Sequence, residues 1–95
     1  MAIQSFNCKA TADLFKTGKS VKFAAILKPA MMRLRFLNAA AVLNDLKIPQ
    51  SNKLHPMIKE KQRIGQHAIS INAKYRICFR WGDKGPEEVE IVDYH

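Results

Sequence analysis

The chain has 95 residues, 47% of them hydrophobic and 25% charged, which argues for one domain over residues 1–95 with a modest core and against extensive disorder. Sixteen Lys plus Arg stand against eight Asp plus Glu, and the formal charge of +8 points to a polyanionic partner: nucleic acid, the ribosome, an acidic protein or an anionic membrane surface. No window approaches a membrane span, MAIQSFNCKATADLF lacks the apolar stretch of a signal peptide, and Cys8 and Cys78 are too few for a disulfide framework, so a cytoplasmic protein with reduced core thiols is expected.

IQSF, residues 3–6, reads as a short strand. Thr11 offers an N-cap, Asp13 sits in the first turn and Gly18 is a stop signal, which predicts a helix over 12–17. In the segment that follows, Phe23, Leu27, Ala30, Met31, Leu34, Leu37 and Ala41 recur at the spacing of one buried helical face. Pro29 predicts a kink there, or a first helix that ends and a second that starts. Lys22 and Arg33 on one side of the stripe, and Lys28 and Arg35 on the other, are expected as solvated flanks.

IPQSNKLHPM reads as a connection, and KEKQRIG as a cationic stretch after it. The period then changes to two. HAISIN puts Ile69 and Ile71 on one face, and YRICFRW puts Tyr75, Ile77, Phe79 and Trp81 on one face with Arg76, Cys78 and Arg80 on the other. NAK is short enough for a hairpin, and GDKGP marks a second turn. In EVEIVDYH, Val89 and Ile91 face one way and Val92 the other. Helices before strands, joined by short turns, predict an α+β domain: an antiparallel meander with helices packed on one face.

Three places hold side chains suited to chemistry: His55 in KLHP, then Lys59, Lys61 and Arg63 in KEKQRIG, and Asp93, Tyr94 and His95 at the end of the sequence. There is no metal-ligand spacing, no glycine-rich phosphate loop and no Ser or Cys placed as a nucleophile, so neither a metal nor a cofactor is expected. A final strand ending beside the His55 segment would gather imidazoles, a phenol, carboxylates and cations. Such a set suits RNA cleavage, where the ribose 2′-hydroxyl is the nucleophile. The protein then needs only to move protons and hold phosphorane charge, and DNA, lacking the 2′-hydroxyl, is not a substrate.

The spaced set RIGQHAISIN, YRICFRW and VEIVDYH, together with SFNCKATADLF, RLRFLNAAAVLNDL and KLHP, resembles the HigB-type toxins of the RelE superfamily over nearly the whole chain. The resemblance implies a compact RelE-like α+β fold and an endoribonuclease that cuts mRNA in the ribosomal A site. It also implies as partners the 70S ribosome with its mRNA and a HigA-type helix-turn-helix antitoxin. Operator DNA would be reached only through that antitoxin, and no membrane is involved. By position, His55 matches the family's catalytic histidine, and Asp93, Tyr94 and His95 match its terminal groups, expected to form one edge of the site. Arg63 and Arg76 match RNA or phosphate contacts. Relatives often read L-K-G-x-R after the His-Pro pair, whereas HPMIKEKQR is longer and has no glycine, so the catalytic-loop lysine is Lys59 or Lys61. Two alternatives stand beside this reading. A ParE-like gyrase poison does not need the histidine and the terminal triad. For a non-catalytic basic RNA- or ribosome-binding module, Tyr75, Phe79 and Trp81 share a face that suits a core better than a base-stacking platform.

Overall fold

In chain order the computed structural model has helix α1 (Lys9–Thr17), helix α2 (Leu27–Ala39) and strands β1 (His55–Pro56), β2 (His67–Ser70), β3 (Tyr75–Gly82) and β4 (Gly85–Asp93), with short 3₁₀ turns between them. It describes residues 2–93, so two of the sequence-predicted site residues, Tyr94 and His95, lie outside the described residues. The α+β expectation is met: the sheet runs β1-β2-β3-β4, antiparallel throughout, with both helices on one side.

Helix α1 starts earlier than expected. Cys8, with extended backbone, occupies the N-cap position, and Thr11 lies inside the helix with its side chain buried. The misplacement has a tertiary cause. Thr11 Oγ1 accepts the Ile91 backbone N–H at 3.0 Å, so the hydroxyl serves β4 and not the helix start. Gly18 ends α1 as expected: at φ 75 it adopts the left-handed conformation and donates its N–H to the Leu14 carbonyl at 2.8 Å.

A new helix does begin near Pro29. A single 3₁₀ turn, Ala24–Ile26, runs into α2, which places Pro29 in the first helical turn where its missing N–H costs no helical bond. Because α2 stops at Ala39, Ala41 falls outside the stripe and is exposed. Arg33 is not a solvated flank. It is buried, its Nε donates to the Ser70 carbonyl at 2.9 Å, and its guanidinium lies 5.8 Å from the centre of the Phe36 ring, so it ties α2 to the end of β2.

The faces of the sheet follow the period of two. Ile69, Ile77, Phe79, Val89 and Ile91 meet Leu14, Leu34 and Leu37 in the main core, and Tyr75 and Trp81 are half-buried against it. The opposite face carries Ala68 and Cys78, packed with Met57 and bordered by Val92. The segment expected as a plain connection contributes a strand, since His55 and Pro56 pair with Ala68 and His67. IQSF, by contrast, reduces to one parallel bridge, Phe6 to Val89. Ser5, Asn7 and then Thr11 exchange hydrogen bonds with β4 along its outer side, which closes an edge that would otherwise expose unpaired backbone groups. Cys78 is a buried free thiol as expected, while Cys8 is only half-buried.

The Thr11 hydroxyl yields a stability prediction. Thr11→Val keeps the shape but strands the buried Ile91 N–H, which costs about 1–3 kcal/mol. Urea unfolding should show a lower midpoint with an unchanged slope.

Candidate functional site

The sheet face turned away from the helices holds the candidate site. His55 comes from β1 and Arg76 from β3, and residues 57–63 cross the face as Met57 packs on Ala68 and Cys78 and as Glu60 and Arg63 pair with charges beneath them. These elements enclose a cavity of about 370 Å³ bounded by His55, Met57, Ile58, Lys59, Glu60 and Arg76. A smaller depression of about 130 Å³ is bordered by the same two groups, His55 and Arg76, and also by Ser70, Asn72 and Tyr75.

Local backbone geometry sets the state of His55. Lys53 takes a left-handed conformation at φ 50, and its carbonyl lies 2.7 Å from His55 Nδ1. A carbonyl only accepts, so Nδ1 carries the proton and the neutral ring has its lone pair on Nε2. Nε2 is 3.5 Å from Arg76 Nη1. A basic nitrogen and a guanidinium therefore face one space.

Arg76 is 8% exposed, and its Nη2 lies 3.2 Å from Glu60 Oε1. The other Glu60 oxygen is 3.3 Å from Arg63 Nε, while Arg63 Nη1 binds Glu90 at 2.9 Å and Gln66 at 3.2 Å. Burial alone would lower the Arg63 pKa, but the Glu90 hydrogen bond and the surrounding carboxylates outweigh it and the value is raised, so the group stays charged. Burial pushes the Cys78 thiol up, with Arg63 and Arg76 drawing it back in part. Cys78, fully buried against Met57 and Ala68, is thus un-ionised and not a nucleophile. Burial, helped by the nearby His55, lowers the pKa of His67. His67 stacks on Phe79 with ring centres 6.3 Å apart, a neutral packing histidine.

The sequence-predicted residues divide. His55, Lys59 and Arg76 line one cavity, and Arg63 reaches it through Glu60. Lys61 opens the 3₁₀ turn Lys61–Arg63, is exposed and does not line the cavity. Asp93 pairs with Tyr75 in the register, which puts its side chain on the helix side of the sheet, and its carboxylate lies 3.8 Å from Lys74 Nζ. Glu60 and Glu90 were not singled out from the sequence. Glu90 had a signal, because a carboxylate between Val89 and Ile91 must face the same side as Cys78. Glu60 had none, since loop residues have no period.

Residues 4–95 match the family model of the HigB-like toxins, described as the RelE-like toxin of the type II toxin–antitoxin system HigB. The chain belongs to the HigB-like toxin family. Membership makes it a type II toxin, with a cognate antitoxin as partner. No curated protein matches the chain. Among the described residues of this HigB-like toxin, no helix is long and apolar enough to cross a membrane. Tyr75 and Trp81 pack against the core and Phe79 is fully buried, so the aromatic face of β3 in this toxin is not a base-stacking surface.

Proposed function

We propose that this toxin is an endoribonuclease that cuts mRNA in the ribosomal A site by attack of a ribose 2′-hydroxyl on the adjacent phosphate. The observation that carries the reading is the lone-pair nitrogen of His55 set 3.5 Å from the guanidinium of Arg76, with both groups lining a cavity and a second, smaller depression. Such a pair suits a scissile phosphate, with one nucleoside on each side. The wall of Pro56, Met57 and Ile58 offers an apolar surface to a base. Ser70 and Asn72 offer polar groups in the smaller depression.

His55 accepts the 2′-hydroxyl proton at Nε2. Arg76 holds the phosphorane oxygens with its fork, and Lys59 adds charge from the rim. We assign the lysine role to Lys59 because it borders the cavity and Lys61 does not. Arg63 contributes charge from behind Glu60. The proton for the departing 5′-oxygen is assigned to Tyr94 or His95, whose phenol and imidazole both donate, while Asp93 is engaged with Lys74. The products are a 2′,3′-cyclic phosphate and a free 5′-hydroxyl. The reaction uses protein groups alone, takes place in the cytoplasm, and is held off by a HigA-type antitoxin.

The ribosome enters through charge and positioning. With a net charge of +8, association rests on phosphate contacts and weakens as salt rises. So small a domain has few means of reading bases, so ribosome-held mRNA is the expected substrate and naked RNA a poor one. In a reconstituted translation system with mapped mRNA ends, cleavage should fall within A-site codons and be far slower on the same RNA without ribosomes. Equal rates on both would overturn the ribosome-dependent reading, and ribosome binding indifferent to salt would mean that apolar contacts dominate the association instead.

A further inference from the structure

We infer that Glu60 is a built-in stand-in for the substrate phosphate: its carboxylate occupies the phosphate seat beside Arg76 and must swing out when RNA enters. This rests on the reading of the cavity as a phosphate site and adds a residue that sets its occupancy.

The two terminal nitrogens of Arg76 have different engagements. Nη1 points to His55 Nε2 at 3.5 Å, and Nη2 contacts Glu60 Oε1 at 3.2 Å. A phosphate beside His55 needs both nitrogens to be held as a fork, and Glu60 has one of them. The second carboxylate oxygen reaches Arg63 Nε at 3.3 Å, so Glu60 bridges two guanidiniums as a phosphate does. A carboxylate and a phosphodiester each carry one negative charge, and exchanging them leaves the charge balance of the site unchanged. Without an anion the nearly buried Arg76 would bear a desolvation cost with less compensation, which is reason enough for a resident one.

Displacement needs only side-chain rotation. The Glu60 backbone stays in place, because its carbonyl accepts the Arg63 N–H at 2.9 Å and starts the turn. Its side chain is 44% exposed and can return to water. Glu90, the other carboxylate of the network, is 17% exposed and held to Arg63 at 2.9 Å, which makes it a fixed counter-ion. The exposed carboxylate leaves and the enclosed one stays.

The test uses the full chain and a 2′-deoxy dinucleotide with one phosphodiester, which cannot be cut. Affinity is read at constant salt from the His55 ring resonances. Glu60→Gln should bind the dinucleotide about three- to ten-fold more tightly than the parent, the scale of a partly exposed ion pair that no longer competes. Adding Arg76→Ala should abolish binding in either background. In the parent, the Glu60 side-chain carboxylate carbon should move toward its free-in-water position as the dinucleotide saturates. That signal decides the question by itself if Glu60→Gln does not fold. Equal or weaker binding by folded Glu60→Gln, or a Glu60 carbon that does not move, overturns the inference. Binding by neither protein removes the phosphate seat and the inference together. Failure to cut mRNA on ribosomes, with tight dinucleotide binding intact, would count against the nuclease reading and leave the exchange standing.

Discussion

His55→Ala is expected to slow single-turnover cleavage on programmed ribosomes by about 10²–10⁴-fold, the usual contribution of a positioned acid–base group. The chemistry behind this is local. The Lys53 carbonyl fixes the proton on Nδ1, and Nε2 is left as the one ring atom able to take a proton. His55→Gln should be nearly as slow, because an amide can hydrogen-bond but has no basic nitrogen at neutral pH. The fold should survive both changes. His55 is half-buried on a two-residue edge strand, outside the main core, so the unfolding midpoint should move by only a few degrees. Ribosome binding should hold as well, since the cations remain. A folded His55→Gln protein that cuts at close to the parental rate would place the base elsewhere.

Arg76→Ala is expected to lower the same rate by about 10²–10³-fold, the scale for losing a preorganised donor to developing oxyanion charge. Arg76 is nearly enclosed and aims its fork into the cavity, and in such surroundings a charge acts more strongly than in water. Arg76→Lys should recover only part of the loss, because an ammonium keeps the charge but not the planar pair of donors. The pattern separates Arg76 from Arg63. Removing Arg76 leaves Glu60 paired with Arg63 and exposed enough to hydrate its other oxygen, so stability should change less than on removing Arg63. Removing Arg63 takes its ion-pair partner from the enclosed Glu90 and leaves it a long hydrogen bond from the Asn7 amide at 3.4 Å, so Arg63→Ala should lower stability as well as activity. Thermal unfolding alongside single-turnover rates distinguishes the two. Equal destabilisation by Arg63→Ala and Arg76→Ala would show that the network is one structural unit and not a strut beside an active group.

Much of this was legible in the sequence where the signal is periodic. Alternation assigned Tyr75, Ile77, Phe79 and Trp81 to the core face of β3 and Arg76, Cys78 and Arg80 to the other, because a strand turns its side chains by half a revolution per residue whatever surrounds it. Helical spacing found Leu34 and Leu37, and Gly18 marked the end of α1 because a left-handed residue favours glycine. The family was legible too, in motifs spread along the chain.

What the sequence left open depended on elements far apart in the chain. Thr11 has the side chain of a cap, and only the approach of β4 makes it a partner of Ile91. Arg33 sits at the margin of an apolar stripe, and only the position of Ser70 turns it inward. The choice between Lys59 and Lys61 could not be counted from either side of a loop of altered length. The tertiary path of residues 57–63, set by Met57 packing on Ala68 and Cys78 and by Arg63 pairing with Glu90, puts Lys59 on the cavity rim while Lys61 does not line it, though both are exposed, and the proposed role of Lys59 rests on that placement. Glu60 is the extreme case. Nothing in KEKQRIG sets its carboxylate apart, and its position between Arg63 and Arg76 exists only once the loop is folded over the sheet, because pairing of charges across a fold depends on distance in space and not on order along the chain.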